Sequence, residues 1–336
     1  MEKEMKGLII AVHRDRYEVE VNKKQIYAKL KAGVYYSDKY AEEFPTVGDY
    51  VELEYNNMGD SLITATMERR TCFTRKDPDD GQGEQTIAAN FDYVFIMMSL
   101  NHDFNLKRLE RYLTEAWQSG AQPVVVLTKA DIAEDVSEKV QLAQSSTIGA
   151  DVCAVSAVTG QGMDALSKYF RPGMVIVFLG SSGVGKSTFT NFLAGDEVMQ
   201  TKGIREDDSR GHHTTTYRQM VVLPSGVRII DTPGMRELGM WTVDDGIEQS
   251  FSDIGELIGS CRFSDCSHGN EPGCAVRAAL ENGTLQESRW LNYLKLQKES
   301  GFQKMKAHQN EIRIKKMEAR KNAKNMEKEQ RKIRYE

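Results

Sequence analysis

The sequence predicts an α/β protein in three parts: a small N-terminal β-barrel, a parallel α/β core and a helical C-terminal part. Three observations carry this. Short Val/Ile/Tyr-rich runs separated by turns fill the first 70 residues. From about residue 86, strand-like and helix-like runs alternate. The last third holds a Cys/His cluster and ends in a Lys/Arg-rich stretch. A length of 336 residues accommodates two or three such domains.

Over residues 1–70, GLIIAV, YEVEV, QIYAKL, YVELEY and SLITATM read as five strands, with HRDR, PTVGD and NNMGD as turns. Five strands in that length suggest an OB-like barrel. Residues 71–85 are polar and Gly/Asp-rich and read as a linker. The core, 86–240, opens with YVFIMMSL, an apolar run expected of a strand buried on both faces. NLKRLERYLTEAWQSG follows as an amphipathic helix, with Leu106, Leu109, Leu113 and Trp117 on one face, Asn105 as N-cap and Gly120 as stop. PVVVLT, DVCAVS, MVIVFLG, QMVVLP and VRIIDT supply further strands, with helices after Asp131, after Gly162 and from Lys186. Residues 241–301 read as helical around the Cys/His cluster, and 302–336 as an exposed helix or disordered arm.

Hydrophobic content of 40% and charged content of 28% fit a globular chain. No apolar run reaches the roughly 18 residues of a membrane span, and the N-terminus has no signal-peptide pattern, so the expected location is the cytoplasm. The net charge of -5 hides an asymmetry: residues 302–336 carry +7 and the remainder -12. A basic tail on an acidic body implies a polyanionic partner.

Gly180, Ser181, Ser182, Gly183, Val184, Gly185, Lys186, Ser187 and Thr188 form a phosphate-binding loop between a strand and a helix. Backbone N–H groups and the helix N-terminus would cradle phosphate, Lys186 would reach the β- and γ-phosphates, and Ser187 would ligate Mg²⁺. Asp231 and Gly234 in DTPG supply a second Mg²⁺ and γ-phosphate element. Thr128, Lys129, Ala130 and Asp131 match a base-reading motif, in which Asp131 would accept from guanine N1–H and its 2-amino group. Thr128 stands where Asn is usual, so an amide that braces the phosphate loop is lost and weaker nucleotide affinity is expected. Ser156 and Ala157 fit the companion loop near guanine O6. Thr215, in the run 214–216, would complete Mg²⁺ coordination. Met235 follows DTPG where a water-orienting Gln is common, which leaves His213 or His212 to position the nucleophile. The base reader precedes the phosphate loop, the reverse of the ordinary GTPase order.

Cys261, Cys266, His268 and Cys274 make a C-x4-C-x-H-x5-C set, a closed donor group for one structural Zn²⁺. Cys72 and Cys153 read as ordinary buried thiols.

Together, the permuted order, the HTTT run before DTPG and CRFSDCSHGNEPGCAV resemble the circularly permuted, small-ribosomal-subunit-dependent GTPase family (RsgA, also YjeQ or YloQ). The resemblance spans nearly the whole chain. It implies an N-terminal OB-like β-barrel, a circularly permuted P-loop GTPase core and a C-terminal helical zinc-binding domain. It also implies His213 as the catalytic histidine, and binding to the 30S subunit and its rRNA late in maturation, with GTP hydrolysis driving release. A monomer is expected. The competing expectation is an RNA-binding scaffold in which nucleotide is structural.

Overall fold

The computed structural model describes residues 4–35, 44–76, 84–101, 103–195, 218–231 and 244–333. The first five strands are β1 (Glu4–Val12), β2 (Tyr17–Val21), β3 (Lys24–Leu30), β4 (Tyr50–Glu54) and β5 (Ser61–Thr66). They run β1-β2-β3-β5-β4, and β4 pairs back onto β1. The ring is therefore closed, with β3 and β5 parallel and the other pairs antiparallel. Alternation explains it: Ile9, Val19, Val21, Val51, Leu53 and Ile63 point inward and are fully or nearly fully buried. β1 serves two cores, because Ile9 faces the barrel while Leu8 and Ile10 pack with the central domain. β1 carries a bulge between Ile9 and Ala11, and Ala11 and Val12 pair with a strand of the central domain, so barrel and core share one continuous sheet.

The expected linker at 71–85 contains structure. β6 (Cys72–Lys76) and β7 (Glu84–Ala89) form an antiparallel pair, and Phe73 stacks on Phe91 at 5.0 Å. The polar stretch concealed alternation at its two ends, and the boundary drawn at 85/86 falls inside β7.

The central sheet holds β8 (Tyr93–Ser99), β9 (Gln122–Thr128), β10 (Asp151–Ala154), β11 (Val175–Leu179), β12 (Arg218–Val222) and β13 (Arg228–Asp231). Their spatial order is β10-β9-β8-β11-β13-β12, all parallel except β12, and β12 pairs with β1 of the barrel. Both faces are buried. Val94, Ile96 and Met98 of β8 pack beneath α2 (Leu106–Gln118) and α3 (Val136–Ser146). Phe95 and Met97 pack on the other face beneath a 3₁₀ helix (Met163–Tyr169) and α4 (Lys186–Ala194). Asn105 caps α2 as expected, its side chain accepting from the Arg108 N–H at 3.0 Å.

The C-terminal part contains α5 (Asp244–Ser250), α6 (Ser252–Gly259), α7 (Ala275–Glu281) and α8 (Glu287–Ile333). α8 runs unbroken for 47 residues, so the 301/302 boundary read from composition lies inside one helix. Its first turns present Trp290, Tyr293 and Leu296 to the helical core. Later residues include many good helix formers, so composition changes while backbone conformation does not. The short helix α1 (Ala32–Tyr35) follows β3.

Candidate nucleotide and metal sites

Parallel strands place their carboxyl ends, and the loops that follow, along one sheet edge. Chain order runs outward from β8 to β9 and β10, then restarts at β11 on the other side of β8. The crevice between β8 and β11 is thus a topological switch point, where α/β sheets bind ligands. The phosphate-loop segment Gly180–Gly185 leaves β11 at this place. Gly180 has no room for a side chain: an added Cβ would lie 2.4 Å from the Met97 carbonyl oxygen. Gly185 caps α4 with φ of 103°, a conformation that favours glycine. Lys186 Nζ donates to the carbonyls of Gly180 and Ser181 at 2.6 and 2.8 Å, so it lies curled over its own loop. Ser182 and Gly183 are exposed, and Ser187 and Thr188 lie half-buried in the first turn of α4.

Thr128 ends β9 beside this loop. Its hydroxyl donates to the Val184 carbonyl at 2.7 Å, and the side chain is buried. The expectation that Thr128 forfeits the brace on the phosphate loop is therefore corrected: a hydroxyl makes the tie in place of the usual amide. Lys129 follows in a left-handed conformation (φ 61°), Ala130 donates its N–H to Val155 O at 3.1 Å, and Asp131 is exposed at the rim. Ser156 is buried, and its Oγ accepts from the N–H groups of Val158 and Thr159 at 3.2 Å, shaping the loop after β10. Two stretches read separately in the sequence, around Thr128 and Val184, thus meet at one edge. The Asp231 backbone ends β13 opposite Gln219. Gly234, Met235, His212, His213 and Thr215 lie outside the described residues.

The four zinc candidates converge. Their ligand atoms all lie within 4.8 Å of one another. His268 Nδ1 is 3.6 Å from Cys261 Sγ and 3.7 Å from Cys274 Sγ. Tetrahedral zinc, with Zn–S of about 2.3 Å and Zn–N of about 2.0–2.1 Å, would separate S and N by about 3.6 Å. The donor set fits such an ion with no open position. Second contacts orient it: Cys274 caps α7, its Sγ accepting from the Arg277 N–H at 3.4 Å, and Trp290 meets the His268 ring edge-on at 5.6 Å.

Sequence reading missed the groups that join the core to the helical part, because they look like ordinary charged residues of surface helices. Arg289 of α8 is 7% exposed. Its guanidinium donates to Glu110 Oε1 at 2.8 Å and Ser146 O at 3.1 Å on the core side. On the helical side it donates to Ser250 O at 2.9 Å and to both oxygens of Asp253 at 3.0 and 2.8 Å. It also lies over the Phe251 ring at 4.7 Å. Asn292 donates to the second oxygen of Glu110. Burial pushes the Glu110 carboxyl up, against the opposing pull of Arg289 and Asn292. Nearby Glu115 is pushed up to about 8 by burial, with only the distant Arg111 at 3.9 Å opposing.

The RsgA GTPase family model matches residues 66–241. The chain is 50% identical over 296 residues to "Small ribosomal subunit biogenesis GTPase RsgA 1" of Listeria monocytogenes, covering 88% of this chain and 84% of that one. It is 43% identical over 292 residues to the "Small ribosomal subunit biogenesis GTPase RsgA" of Methanosarcina acetivorans, covering 87% and 78%. Among solved structures, YjeQ from Thermotoga maritima aligns with a TM-score of 0.66 at 25% identity, over 89% of this chain and 99% of that one. YloQ, described as a circularly permuted GTPase, aligns with a TM-score of 0.60 at 25% identity, over 89% and 96%.

Proposed function

Because the chain belongs to the RsgA GTPase family, we propose that it hydrolyses GTP in the biogenesis of the small ribosomal subunit. On this reading it binds the 30S particle and its rRNA late in maturation and leaves on hydrolysis, working in the cytoplasm as a monomer. No helix among the described residues is long and apolar enough to cross a membrane. The observation that carries the nucleotide part is the hydrogen bond from Thr128 to Val184, which brings the base-reading and phosphate-binding loops to one sheet edge.

The roles follow from that edge. Asp131 pairs with guanine, with Lys129 and Ala130 shaping its turn and the Ser156–Ala157 backbone closing the base pocket. Gly180 to Gly185 hold phosphate through backbone N–H groups, and Lys186 swings from its carbonyls onto the β- and γ-phosphates. Ser187 and Thr215 would hold Mg²⁺, with Asp231 reaching the ion directly or through water and the Gly234 N–H meeting the γ-phosphate; the ion would neutralise charge on the phosphates. His213 positions the attacking water in place of the Gln that Met235 displaces. Cys261, Cys266, His268 and Cys274 would hold Zn²⁺, which would staple the short helices α5, α6 and α7 to the start of α8. The barrel takes 1–70; the limits 86–240 and 241–301 shift so that β7 and α8 each stay whole, and the basic end of α8 is a salt-sensitive contact.

The test measures GTPase rate with and without purified small subunits, and co-sedimentation in GDP against a non-hydrolysable GTP analogue. Stimulated turnover and tighter association with the analogue are expected. Equal rates and equal association in both states, unchanged by Lys186→Ala, would instead favour a scaffold with structural nucleotide.

A further inference from the structure

Between β8 and α2 the chain makes a tight turn with its own polar wiring. Asn101 Oδ1 accepts from Ser99 Oγ at 2.8 Å and from the Asp103 N–H at 3.0 Å. Phe104 N–H donates to Asn101 O at 3.1 Å. The Asp103 side chain, aimed by this turn, spans two partners. Its Oδ2 accepts from Ser181 Oγ of the phosphate loop at 2.8 Å, and its Oδ1 pairs with Arg108 at 2.8 Å. Arg108 also donates to the Asp103 carbonyl. Ser181 in turn offers its carbonyl to Lys186 Nζ at 2.8 Å.

A carboxylate beside a phosphate-binding loop is an electrostatic contradiction, since it repels the ligand the loop is built to hold. The Arg108 pair resolves it. Asp103 can fix Ser181, and hence the carbonyl on which Lys186 rests, while its charge is met by a guanidinium one turn away. We propose that Asp103 is a positioning residue for the phosphate-binding loop and that Arg108 neutralises it so that anionic phosphate is tolerated there. This rests on the nucleotide reading above and adds to it a residue that lies outside all three nucleotide motifs.

The test uses the full-length protein and the affinities for GDP and a non-hydrolysable GTP analogue, at about 50 mM and about 500 mM salt. Ser181→Ala and Asp103→Asn should each weaken both nucleotides by about 5–10-fold. The double variant should be no worse than either single one, because both remove the same bond. Arg108→Gln should weaken binding further than Asp103→Asn, with the excess largely lost at high salt, where the bare carboxylate is screened. Asp103→Asn combined with Arg108→Gln should return to the level of Asp103→Asn alone. A merely structural role of the turn would move melting temperature without this charge pattern. The proposal is overturned if the Ser181 and Asp103 effects multiply, if either leaves affinity within about twofold of the parent, or if Arg108→Gln is no worse than Asp103→Asn. If the parent protein binds neither nucleotide, the functional reading itself fails.

Discussion

Replacing Arg289 by Met should nearly undock the helical part from the core. The side chain donates five hydrogen bonds at that junction, two across it to Glu110 and Ser146 and three within the helical part, to Ser250 and twice to Asp253. Asp253 is 34% exposed and can recruit water, whereas Glu110 is 4% exposed and would keep only Asn292. Breaking a buried pair and leaving one charge uncompensated costs about 3–5 kcal/mol. Much of that cost is the stranded carboxylate, so Arg289→Met with Glu110→Met should recover most of it, apolar replacement of a whole buried pair being nearly neutral. Arg289→Lys should fall between, retaining charge but losing the planar fork that reaches both sides. Trp290 is adjacent and packs on Tyr293 at 5.5 Å, so urea unfolding followed by its fluorescence reports this junction. A single variant within about 1 kcal/mol of the parent, or a double variant less stable than the single, would refute the account.

Three further outcomes follow from the same structure. Glu115, with a carboxyl near pH 8 in the folded chain against 4.5 unfolded, holds a proton on folding that the unfolded chain lacks. Its favourable contribution is therefore full below about pH 4.5 and lost as pH rises to 8; Glu115→Gln should abolish that decline, gaining on the order of 3–4 kcal/mol at pH 8 in urea titrations, and parallel pH profiles would contradict this. Thr128→Val should leave the buried Val184 carbonyl without its donor and weaken GTP binding by about tenfold, while Thr128→Asn stays within about threefold in the same titration; equal affinities for Val and Thr would remove the brace from the argument. Elemental analysis should find one zinc per chain, and Cys266→Ser should lose it together with at least about 2 kcal/mol of stability of the helical part; full zinc retention would exclude Cys266 as a ligand.

Much of this was legible in the chain. Alternating or apolar runs rich in Val, Ile and Tyr marked the five barrel strands, and the continuous run YVFIMMSL marked a strand buried on both faces. The spacing of Cys261, Cys266, His268 and Cys274 marked a donor set, because metal geometry constrains local sequence. Legibility failed where pattern is weak or partners are distant. The β6–β7 pair hid in a polar stretch, and α8 continued past a change of composition that its backbone did not register.

The sequence alone determined the three-part plan, the reversed order of the base-reading and phosphate motifs, and the four candidate metal donors. These depend on local periodicity and on spacings that survive being read along a line. Only the tertiary structure decided that Thr128 grips Val184, that Asp103 reaches Ser181, and that Arg289 is buried between two carboxylates. Those pairs are separated by up to 179 residues. A hydroxyl or a charge declares its role only when folding brings its partner within 3 Å and removes the water that would otherwise satisfy it.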